Sequence, residues 1–81
     1  MTDEQIMARV GELVDEEHRL WEKLAHDTRA NDSDRERLAQ LQVQLDQCWD
    51  LLRQRRARRQ AGLDVDDAQT RDPDVVERYR Q

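Results

Sequence analysis

The spacing of the large apolar side chains constrains this chain more than any other feature. Ile6, Val10, Leu13, Glu17, Leu20 and Leu24 advance by 4, 3, 4, 3 and 4 residues, with Glu17 the single polar interruption. Leu38, Leu41, Leu45, Cys48 and Leu52 repeat the pattern at 3, 4, 3 and 4. A period of about 3.5 residues puts each set on one stripe of an α-helix and fits no strand, whose faces alternate every second residue. The longest run of large apolar side chains is two residues, far short of the roughly 20 that a membrane-spanning helix needs.

Composition narrows the class further. At 81 residues the chain holds one domain at most. Leu, Ile and Val supply 16 of those residues and Phe none, which is near the roughly 20% below which chains stay disordered. The charges, however, are almost balanced, with 19 acidic and 14 basic residues and a net charge of −5. Their helical layout predicts a folded, all-α polyampholyte. One cysteine excludes an intrachain disulfide framework and a four-ligand zinc site. The acidic start Met1-Thr2-Asp3-Glu4 lacks the character of a signal peptide. The expected setting is the cytoplasm, away from membranes.

Local signals place the elements. Thr2 and Gln5 have capping-box spacing, and Asp3 and Glu4 complement the helix dipole, which predicts a helix over 3–28. Met7, Val14 and Trp21 form a second row seven residues apart and widen its apolar stripe. Arg29 to Ser33 has no periodicity, and Ser33 with Glu36 repeats the cap spacing, which predicts a second helix over 34–61 ended by Gly62 with Leu63 folding back. Two helices joined by so short a loop form an antiparallel hairpin over 1–62. A turn centred near residue 31 pairs residues whose numbers sum to about 62, setting Asp3 and Glu4 beside Arg58 and Arg59. Residues 63–81 read as an acidic linker (Asp64, Asp66, Asp67) and a short helical segment opened by Asp72-Pro73. That segment carries Val75, Val76 and Tyr79 and is too short to stand alone, so it docks on its own hairpin or a neighbour's.

Two amphipathic helices packed only on each other leave one side of each wet. The expectation is therefore a homodimer whose hairpins form a four-helix bundle. Met7, Val14, Trp21 and Trp49 are the candidate interface, and Val75, Val76 and Tyr79 a second one. The function expected is protein–protein interaction or self-assembly, with an unidentified protein as a further partner. The alternative is nucleic-acid binding through Arg53, Arg55, Arg56, Arg58 and Arg59, five cations in seven residues. Against it stand the acidic net charge, the lack of aromatic residues within the run, and the use those cations have beside Asp3 and Glu4. A third reading is a metal or ligand site at Glu17, His18 and Asp46; a polar residue that fixes register explains Glu17 more simply. Cys48 reads as a small core residue. With no phosphate loop and no nucleophile-and-base spacing, the sequence predicts neither an enzyme nor a bound cofactor or metal.

Three blocks carry a family resemblance: Val14-Asp15-Glu16-Glu17-His18-Arg19-Leu20, the stretch from Leu45 through Gln47-Cys48-Trp49-Asp50 to Arg56, and Val75-Val76-Glu77-Arg78-Tyr79. Together they resemble a family of short actinobacterial proteins, a domain of unknown function numbered about 2630. The likeness covers nearly the whole chain, and Gln47-Cys48-Trp49-Asp50 is its most specific part. It implies a small bacterial cytosolic helical protein and brings no activity, ligand or catalytic residue. It also implies that any shared site lies where the first two blocks meet, around Glu17, His18, Asp46 and Trp49.

Overall fold

The computed structural model of the chain describes residues 1–26 and 32–78. Two long helices, α1 (Asp3–His26) and α2 (Asp32–Gln60), pack against each other as an antiparallel hairpin. A 3-10 turn at Val65–Asp67 and a short helix, α3 (Pro73–Arg78), then run back along α2. The tail thus docks on its own hairpin. Tyr79, one of the candidate interface residues, lies outside the described residues.

The end signals work as their chemistry requires. Gln5 N–H donates to Thr2 Oγ1 at 3.2 Å and Thr2 N–H to Gln5 Oε1 at 2.9 Å, a complete capping box. At the same open end of the hairpin, just past α2, Gly62 takes a φ of 72°, in the left-handed region. Its N–H donates to Arg59 O and the N–H of Leu63 to Arg58 O, so two otherwise orphaned carbonyls are satisfied. Leu63 does not fold back over the helix as expected; it stays 57% exposed. Asp72 caps α3, accepting from Asp74 N–H at 2.9 Å.

The core is the predicted seam. Val10, Leu13, Leu41 and Leu45 form its centre, with Val14, Leu20 and Cys48 packed on its edge. Toward the end of α2 the buried leucine is Leu51, while Leu52 is half-buried. The docked tail explains the change, because it adds cover on a side of α2 that a bare hairpin would leave wet. Asp3 meets Arg59, as the expected register sets it, and also Arg55; farther along, Glu16 meets Arg37 and Lys23 meets Asp34, nine and five residues earlier in α2 than that register places their partners. α2 starts at Asp32, ahead of the Ser33–Glu36 cap.

Candidate functional site

The hairpin has two unlike flanks. The first carries the tail, held by polar groups from α2. Asp50 has no exposed surface at all, and a carboxylate there must be fully partnered. Arg71 supplies one edge of its guanidinium, donating from Nε to Oδ2 at 2.9 Å and from an Nη to Oδ1 at 2.6 Å. Gln54 Nε2 adds a bond at 3.0 Å and donates to Gln69 O at 2.7 Å, while Gln47 Nε2 donates to Arg71 O. The Arg71 guanidinium is the main reason the Asp50 carboxyl is held below its usual range; burial opposes it and Gln54 adds to it.

A second clamp centres on Arg55, buried to 7% exposure. It donates to Asp3 from α1 and to Val65 O and Asp66 from the linker, tying three segments together. Arg59 completes the Asp3 carboxylate at 2.8 Å. These bonds lower the Asp3 carboxyl's pKa and raise that of Arg55. The arginine run is therefore divided in its duties. Arg55 and Arg59 hold α1, Arg53 lies 3.7 Å from Asp50, Arg58 is half-buried and Arg56 is exposed.

No described residue of the tail lines the opposite flank. Met7, Trp49 and Leu52 share a groove of about 400 Å³ with Arg53, Arg56 and the Asp3–Arg59 pair. Glu17, Gln42, Leu45, Asp46 and Trp49 border a second shallow depression beside it. Trp21 is 52% exposed, Met7 48% and Trp49 42%; Val14 is half-buried on the core's edge. The tail residues named with them are placed elsewhere: Val76 is buried to 1% and Val75 half-buried.

Glu17 and Asp46 both border the second depression, whereas His18 is exposed and does not line it. Among the described residues no three His, Cys, Asp or Glu side chains gather closely enough to hold a metal ion. Burial raises the pKa of the Cys48 thiol, which disfavours the reactive thiolate. Sequence reasoning missed Asp50 and Arg71. Asp50 faces away from the leucine seam, and Arg71 belongs to a stretch without period. The one available signal was the aspartate inside the most specific family block.

Fold and flanks define a small helical-hairpin protein with a clamped C-terminal tail and one uncovered aromatic side. By sequence, the chain belongs to the family described as protein of unknown function (DUF2630), whose profile matches residues 2–81. It is 44% identical over 78 residues to an uncharacterised protein of Mycobacterium tuberculosis and equally so to one of Mycobacterium bovis, covering 96% of this chain and 90% of each relative. No solved structure matches it. No helix among the described residues is long and apolar enough to cross a membrane.

Proposed function

We propose that this protein is an interaction module that self-associates through its indole-bearing flank, two hairpins forming a four-helix bundle. One observation carries the reading: Trp21, Trp49 and Met7 remain about half exposed on the side opposite the docked tail. Large aromatic and thioether side chains are enriched in the centres of protein interfaces and depleted on inert surfaces. Among the described tail residues the buried apolar side chain is Val76, which is spent where the tail packs on α2. Each hairpin thus presents an apolar layer that a second hairpin completes.

Sedimentation velocity tests the proposal. The wild-type chain is expected to sediment as a dimer at about 50 µM, and Trp21→Glu and Trp49→Glu to shift it to a folded monomer by weakening association about a hundredfold, a loss of about 2.7 kcal/mol. A wild-type chain of 9.7 kDa that remains a folded monomer across that concentration range rules the reading out.

A further inference from the structure

The row on α1 that carries the exposed Met7 and Trp21 and the half-buried Val14 extends beyond these three residues. Met7, Gly11, Val14, His18 and Trp21 follow at intervals of 4, 3, 4 and 3, a second helical stripe beside the one that buries Ile6, Val10 and Leu13. None of the five bears a carboxylate, ammonium or guanidinium group. The row is also nearly symmetric about Val14, with Met7 seven residues before it and Trp21 seven after, Gly11 three before and His18 four after. A row of that kind is complementary to a second copy of itself running the other way. Val14 then meets the partner's Val14, Met7 meets the partner's Trp21, and Gly11 meets the partner's His18.

Gly11 gives the strongest reason to read the row this way. Glycine inside a helix costs about 1 kcal/mol relative to alanine. Here no left-handed φ requires it, since Gly62 is the only glycine with positive φ. A Cβ built at Gly11 meets nothing within 4 Å, so no close approach within the chain requires it either. A bare stretch of backbone in the middle of an exposed row leaves room for the side chain of another helix.

We infer that two copies pair antiparallel, α1 against α1, about a two-fold axis beside Val14, with Gly11 receiving the partner's His18. This rests on the self-association proposed above and fixes its geometry. The distribution of apolar surface favours the same orientation. Parallel pairing would lay the α1 row on the partner's α2, where Gln42, Asp46, Arg53 and Arg56 interrupt the apolar surface. Size is no obstacle. The molecule is a slab of 52 × 26 × 16 Å, and its broad face exceeds the roughly 800 Å² per partner of a standard interface.

Single-cysteine full-length chains in a Cys48→Ser background test the axis. Val14→Cys is expected to give a disulfide-linked dimer on mild oxidation, because a residue on the axis meets its own copy. Met7→Cys and Trp21→Cys should each cross-link poorly alone and efficiently when mixed. Gly11→Gln should retain the helix content and melting temperature of the dilute chain, yet weaken association about tenfold or more by sedimentation. If the wild type dimerises while Val14→Cys fails to cross-link and Gly11→Gln associates normally, the antiparallel axis is wrong and self-association stands. A wild type that stays monomeric overturns both.

Discussion

Asp50 sits on the side of α2 that faces away from Leu41, Leu45 and Leu52, where a two-helix hairpin would leave it in water. The tail changes that environment, and the chain then has to satisfy a buried carboxylate. Removing one partner of such a pair costs more than the pair contributes, because the other charge is left desolvated. Asp50→Ala is therefore expected to lower stability by about 3 kcal/mol, measured by urea denaturation; a loss below about 1 kcal/mol would mean that water already reaches the site. The same geometry sets an acid limit. Asp50, Asp3 and Glu16 all have carboxyls lowered by their arginine partners, Arg71, Arg55 and Arg37 respectively. A carboxyl with a lower pKa folded than unfolded contributes fully above its unfolded value, near 4, and loses that contribution as pH falls through the folded value. The melting temperature should hold from about pH 5 upward and drop below about pH 4. Asp50→Ala should drop less steeply, and superimposable acid profiles for the two proteins would exclude Asp50 as a source.

The helices themselves show what a sequence can and cannot disclose. Periodicity and caps were enough for α1, α2 and α3, since Thr2–Gln5, Gly62 and Asp72-Pro73 act within one turn of where they stand. The uncovered indoles of Trp21 and Trp49 were legible for the same reason: they lie on rows that one helix cannot bury in a hairpin. The register was less so, because it depends on where α2 starts, and Asp32 competes with Ser33 as the opening residue. Of the clamps only the Asp3–Arg59 pair was legible, from the antiparallel hairpin itself. Gln47, Asp50, Gln54 and Arg55 reach tail groups across a linker whose path no period encodes. The two glycines make the local rule testable. At Gly62, with φ of 72°, an alanine Cβ is strained, so Gly62→Ala should cost about 1–2 kcal/mol. At Gly11, with helical backbone and open space around it, alanine should instead stabilise the dilute chain by up to about 1 kcal/mol. Opposite signs in paired denaturation curves are the expected result, and a loss at both positions would show that Gly11 is constrained within its own chain.

At the scale of the whole molecule the two flanks divide the work. One is closed by Val76 and the polar clamps, and the other carries the exposed Met7, Trp21 and Trp49 beside Arg53 and Arg56. If that division is real, releasing the tail should not disturb association. Arg71→Ala removes both guanidinium bonds to Asp50, yet alters nothing on the side that carries Met7, Trp21 and Trp49. Hydrogen exchange should then show lost protection at the amides of Val75 and Val76, which donate to Asp72 O within the docked tail. Amides in the middle of α1 and α2 should keep most of their protection, because Val10, Leu13, Leu41 and Leu45 pack without the tail. The dimer dissociation constant should change by less than about threefold, under 0.7 kcal/mol. A large change in that constant, with the hairpin still folded, would show that the tail contributes to the interface and that the two sides are coupled through α2.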